Sequence, residues 1–249
     1  MTKMMLSALM AANVWAISNL ELAQKSDAVQ RGYRDAVAKM EMTLINANGQ
    51  KRVREMRIRV LEKEGGDKSL MEFLSPADVK GTKFLSYEHA DRDDDQWLYL
   101  PALKRVKRIA SKNKSGSFMG SEFSYEDIGA FNIDKYRYEG DAKEVTENGK
   151  KMYESVRVPK SKDSGYTRQV ALVDAQSYLT QKVDYYDRKN ELLKTATFGD
   201  YIRIDGVWRI GKITMTNHQN DKSTILVWKE QTIKSGLKEN DFHKRVLKQ

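Results

Sequence analysis

The residues whose types and spacing could support chemistry are the acidic run Asp91-Arg92-Asp93-Asp94-Asp95, three histidines and Ser121. An EF-hand calcium loop needs Gly at its sixth position and Glu at its twelfth. Counted from Asp91, those positions hold Gln96 and Ala102, so the run reads as a solvated hairpin turn. His89, His218 and His243 stand apart, with no HExxH and no paired ligand spacing, and no metal site is expected. Ser121 is not in a GxSxG elbow, and no His or Asp stands at a spacing that suggests a triad. The chain has no Cys, which excludes disulfides, thiol catalysis, thiolate metal ligation and lipidation at an N-terminal cysteine. Neither an enzyme nor a cofactor is expected from these residues.

What is conspicuous instead is apolar surface without reactive groups, concentrated between Gln96 and Asp127. Trp97-Leu98-Tyr99-Leu100-Pro101 is apolar on both sides of a strand. It is either a central strand buried on both faces, or a strand with one side on a cavity where Trp97 and Tyr99 offer broad contact area. Lys104–Ile109 mixes basic and apolar residues on both faces, as a strand at a cavity mouth or a charge-protected edge strand would. Ser115–Ser121 is a Gly/Ser loop tipped by Phe118 and Met119. It reads as a lid hinged at Gly116 and Gly120, or as a plug tucked into the sheet.

The elements that must position these residues are mostly strands. Ser18-Asn19-Leu20-Glu21 matches a capping box, and Leu22, Val29, Tyr33 and Ala36/Val37 recur near helical spacing, which predicts a helix to about Ala38. After it, Asn48-Gly49, Gly65-Gly66-Asp67, Asn148-Gly149 and Asp205-Gly206 supply the positive-φ residues of tight hairpins. Between the turns lie strand-like runs at 40–47, 53–62, 69–74, 83–88, 96–100, 105–109, 135–146, 151–158, 166–173, 179–186, 192–204, 207–217 and 224–233. Short helices are expected near 124–131 and 240–247. Consecutive hairpins without crossover helices build an antiparallel sheet. The fold expected is mainly β (α+β): an incomplete antiparallel barrel, or strongly curved sheet, closed by a few helices.

The N-terminus is read separately. Lys3, the apolar run Met4–Ala12 and Val14-Trp15-Ala16 have the form of a cleaved secretory signal over 1–16, with one domain over 17–249. Export implies a periplasmic protein. The net charge of +9 favours anionic lipid or an acidic partner, and export argues against nucleic acid.

Three segments, FLSPADVKGTKFL (Phe73–Leu85), WLYLPALKRVKRI (Trp97–Ile109) and SFMGSEFSYED (Ser117–Asp127), resemble in order and spacing the LolA-like family of outer membrane lipoprotein-sorting proteins. The resemblance extends over essentially the whole chain after the leader. It implies a helix-closed, incomplete barrel with an apolar cavity, and a periplasmic carrier or chaperone passing acylated molecules toward the outer membrane. Trp97, Tyr99, Leu100, Val106, Ile109, Phe118, Met119 and Phe123 are then candidates for cavity or lid, and Arg105 and Arg108 for a headgroup rim. The implied partners are a lipid or acylated lipoprotein, with an inner-membrane transporter or outer-membrane acceptor, and a monomer is expected. The other function expected of such a chain is a non-enzymatic sensor or adaptor docking a membrane exporter or an envelope-stress partner. Burying a 16-carbon chain contributes ~12 kcal/mol gross, at about 0.8 kcal/mol per methylene. A carrier that buried several chains fully would approach the ceiling of non-covalent affinity and release them too slowly.

Overall fold

The computed structural model describes residues 16–129 and 131–249, so the expected signal segment lies outside the described residues except for Ala16. Helix α1 spans Asn19–Ala28, and the Ser18 side chain caps it by accepting a hydrogen bond from Glu21 N at 3.1 Å. It ends about ten residues earlier than its apolar spacing predicts. Gly32 (φ 91°) and Arg34 (φ 63°) turn the chain, and the Glu62 carboxylate accepts from both of their amides at 2.9 and 2.8 Å. Ala36 and Val37 therefore belong to a strand.

The first meander runs through β1 (Asp35–Ile45), β2 (Lys51–Leu61), β3 (Lys68–Ser75), β4 (Lys83–Tyr87), β5 (Asp95–Leu100) and β6 (Arg105–Ile109). Strands β7 (Tyr136–Arg137) and β8 (Lys143–Glu147) share one edge of β9 (Lys150–Pro159). The second meander continues through β10 (Arg168–Asp174), β11 (Thr180–Tyr186) and β12 (Leu192–Gly199). Strands β13 (Ile202–Ile204) and β14 (Val207–Arg209) leave it as a separate hairpin, and β15 (Lys212–Asn217) and β16 (Ser223–Ile233) return to it. Pairing of β1 with β16 joins the two meanders into one antiparallel sheet whose edges, β6 and β7, do not meet. The barrel is incomplete, as expected.

Turn chemistry explains several breaks. Asn148-Gly149 and Asp205-Gly206 have paired positive φ values and close two-residue hairpins between β8 and β9 and between β13 and β14. The run expected over 135–146 is interrupted around Gly140 (φ 68°). The runs at 192–204 and 207–217 each split where Asp200 crosses Gly211; a Cβ on Gly211 would lie 2.1 Å from Asp200 O. The helix expected near 124–131 is absent over Ser124–Gly129, where turns replace it and Asp127 accepts from Ser124 N at 2.7 Å. The segment near 240–247 forms two 3-10 turns, Glu239–Phe242 and Lys244–Lys248.

Strict alternation gives the sheet two apolar faces at its β3–β5 end. Ala38, Ile58, Met71, Phe84, Leu98 and Lys107 are in register on the inner face. Leu70, Leu85, Trp97 and Arg108 are in register on the outer one. The inner face holds the main core with Leu22, Phe73 and Phe118. The outer patch is covered by Phe242 and Leu247 from the C-terminal turns.

Candidate functional site

Part of the inner face is open. A cavity of about 350 Å³ lies between the sheet and a cover made by α1 and residues between 126 and 138. That volume is in the lower part of the ~300–1,000 Å³ typical of small-molecule sites. Its apolar wall takes a residue or two from most strands, among them Met40, Ile58, Met71, Phe84, Val183, Ala196, Met215, Leu226 and Trp228. Leu22 and Ala23 of α1 close it from the other side.

The wall is polar near the end of α1. Arg31 reaches both oxygens of Asp67 at 2.8 Å, and Asp27 at 3.2 Å. Tyr33 donates to the same Asp67 at 3.1 Å. Burial pushes the Tyr33 phenol far up, with the Asp67 charge adding to it, so it stays a neutral donor.

The other boundary is the Ser115–Asp127 segment, and it is fastened in many places. Met119 (φ 52°) and Gly120 (φ 77°) form a tight positive-φ turn, held by Phe118 N to Phe123 O at 2.7 Å and Ser117 Oγ to Ser121 O at 2.6 Å. Phe118 is fully buried against Phe84, Tyr125 and Phe73, with ring centroids 5.1, 5.6 and 6.1 Å away. Arg54 donates to Met119 O at 2.7 Å. Lys194, buried on β12, donates to Asp127 at 2.6 Å and to Glu122 O at 2.9 Å. Burial pushes the Glu126 carboxyl up, and it accepts from Gly165 N and Ser164 Oγ at 2.8 and 2.9 Å. Phe118 thus sits as a plug in this structure. Ser121 is buried with its hydroxyl on Phe118 O at 2.7 Å and has no histidine beside it among its hydrogen-bond partners.

The residues singled out from the sequence are divided between places. Phe123 lines the cavity. Phe118 and Met119 pack in the core above it, as does Leu100 at the end of β5. Ile109 is on the inner face but borders a second pocket, of about 340 Å³, between β6 and the β9–β10 connection. Trp97, Tyr99 and Val106 belong to the outer patch, under the C-terminal turns. Arg108 is also outward and binds Asp95 at 2.6 Å, while Arg105 is exposed on the edge strand; neither borders the cavity. Arg31, Arg157, Arg209 and the scattered aliphatic lining carry no motif or spacing in the sequence that marks them. Of the strand-like runs expected from the sequence, the one at 53–62 contributes Ile58 and Val60 to the wall.

The second pocket holds ion pairs, Lys114 with Asp93 at 2.9 Å and Lys135 with Asp94 at 2.6 Å, and Ser161 also donates to Asp93 at 3.1 Å. Among the described residues no group of three or more His, Asp or Glu is placed to hold a metal ion.

A family model described as an uncharacterized protein matches residues 65–249. The chain is 50% identical to a Vibrio parahaemolyticus domain described as outer membrane lipoprotein-sorting, with 92% of this chain and 98% of that one covered and a TM-score of 0.89. It is 31% identical to a DUF1329 family protein from Desulfovibrio piger, over 92% and 97% of the two chains, with a TM-score of 0.85. A LolA superfamily protein from Nitrosomonas europaea shares the fold at 16% identity, over 93% and 100% of the chains, with a TM-score of 0.74. No protein of curated function matches the chain.

Proposed function

The chain belongs to the DUF1329 family and has the fold of the LolA superfamily; from that premise we propose that it is a periplasmic carrier that holds an acyl chain of a lipid or lipoprotein in the inner-face cavity and hands it on toward the outer membrane. The observation that carries this reading is the apolar cavity between the sheet and α1. Residues 1–16 serve as the leader and the remainder as a single carrying unit. The likeness to the Vibrio domain described as lipoprotein-sorting supports the direction of transfer.

A cavity of this size seats one chain in part, which suits a carrier that must also release. The contact is non-directional and needs no reacting group.

Native mass spectrometry of protein extracted from the periplasm should find an acyl-bearing adduct. Displacement of a fluorescent fatty-acid probe should follow, and Ala196→Trp should weaken probe binding at least tenfold by filling the wall. Ala196 is fully buried there, so the added ring occupies cavity space. An empty protein that binds no probe would sink the reading, as would a folded Ala196→Trp variant with unchanged probe affinity.

A further inference from the structure

The cavity lining holds more carboxylates than cations, yet the pairing is local: some of its cations are tied to a carboxylate and two are not. Arg31 holds Asp67 at 2.8 Å and Asp27 at 3.2 Å, Lys135 holds Asp94 at 2.6 Å, Lys194 from outside the lining holds Asp127 at 2.6 Å, and Glu126 accepts from Gly165 N and Ser164 Oγ. Two arginines of the same lining, Arg157 on β9 and Arg209 on β14, have no carboxylate within salt-bridge distance among the described residues.

Arg157 is braced without being consumed. Its Nε donates to Gln169 Oε1 at 2.8 Å, and its guanidinium carbon lies 4.2 Å from the Phe131 ring centroid and 5.0 Å from that of Tyr136. This fixes the plane of the guanidinium and leaves its terminal N–H groups without a protein acceptor among the described residues. The next aromatic along, Tyr138, also lines the cavity and has a buried hydroxyl with no protein hydrogen-bond partner. Arg209 stacks 4.1 Å from the Tyr33 centroid, and its buried Nε is likewise unpartnered by protein. A planar fork of donors, laid on aromatic rings in a mostly apolar cavity, matches a carboxylate or phosphate in geometry and charge.

We propose that the cavity selects an anionic amphiphile, with a carboxylate or phosphate head on Arg157 beside Tyr138 and an acyl chain along the Met71–Val183–Met215 wall. The proposal rests on the carrier reading and adds the chemical class of the cargo. Selection arises because a neutral head would cover the guanidinium without replacing its hydrogen bonds to water, whereas an anion replaces them with charge-assisted ones.

Three probes of equal chain length test it by displacement: palmitate, the lysophosphatidate carrying a palmitoyl chain, and hexadecanol. The wild-type protein should bind at least one of the two anions at least tenfold more tightly than hexadecanol, and which anion wins identifies the head. Arg157→Gln should erase that preference and leave hexadecanol binding within about twofold, which also shows that the variant is folded. Equal wild-type affinity for all three, or equal loss of all three in Arg157→Gln, overturns the headgroup assignment and leaves the carrier reading intact. Failure of every probe to bind the wild-type protein overturns both.

Discussion

Lys194 ties the plug segment to the sheet through a buried ion pair with Asp127. It and Asp127 are 4% and 5% exposed, and the ammonium lies within 5.3 and 5.6 Å of the Tyr166 and Tyr185 ring centroids. Asp127 also accepts from Tyr166 Oη at 2.8 Å and Ser124 N at 2.7 Å, so the pair is fully satisfied. Removing one member of such a pair leaves a buried charge uncompensated, which costs about 3–5 kcal/mol. Lys194→Met should lower the unfolding free energy by that amount in urea titration. The double variant Lys194→Met/Asp127→Asn should recover part of the loss, because the stranded charge is then gone. A Lys194→Met variant with wild-type stability would show that the pair does not anchor the segment. Neither partner announces this role in the sequence: Lys194 is one basic residue among many, and Asp127 lies 67 positions away.

At the scale of elements, the C-terminal turns act as a cover for the outer patch. Phe242 and Leu247 are fully buried against Leu70, Leu85 and Trp97, and Lys244 stands 4.1 Å from the Trp97 ring centroid. Lys83 donates to Val246 O and Gln249 O at 3.1 and 2.7 Å, and Glu239 binds Lys63 and Lys68. Phe242→Ala should cost ~3–5 kcal/mol by leaving a hole in this patch. Because the patch is on the face opposite the cavity, acyl-probe affinity should stay within about twofold; a tenfold loss of affinity in the folded variant would contradict that separation. The same geometry explains what was legible. Hairpins, the sheet and the Ser18 cap follow from local turn and capping chemistry. The side of β5 that faces the cavity does not, because Trp97-Leu98-Tyr99-Leu100 is apolar on both sides and its outer cover arrives some 140 positions later. The cavity itself was illegible because strands from Met40 to Trp228 contribute only a residue or a few each. The end of α1 was misplaced because the alternation of β1 continues the apolar spacing past Gly32.

For the whole molecule, the unclosed sheet places a demand on its seam. Among the described residues no strand pairing joins β6 to the β9–β10 connection, and side chains span the gap instead: Ser161 donates to Asp93 and Lys135 to Asp94, while Lys114 holds Asp93 from the β6 side. Just beside them Asp95 accepts from Arg108, Arg92 and His89 at 2.6, 2.8 and 3.2 Å. Burial pushes Asp93 and Asp95 up, but the hydrogen bonds from Lys114 to Asp93, and from Arg92, Arg108 and His89 to Asp95, outweigh it and hold both below the usual carboxylate range. A carboxylate with a depressed folded-state value stabilises the fold above its unfolded value of ~3.9, and that contribution is lost as pH falls through the folded one. Thermal stability should therefore drop as pH is lowered from about 5 to about 2. Other carboxylates depressed in the fold, such as Asp35 and Asp174, add to the same slope, whereas Asp27 and Glu126, which burial pushes up, oppose it. The share of these two carboxylates is isolated by Asp93→Asn/Asp95→Asn, which should be less stable than wild type at pH 7 and show a flatter decline on acidification. An unchanged slope in that variant would assign the acid sensitivity to the other carboxylates and remove Asp93 and Asp95 from the account.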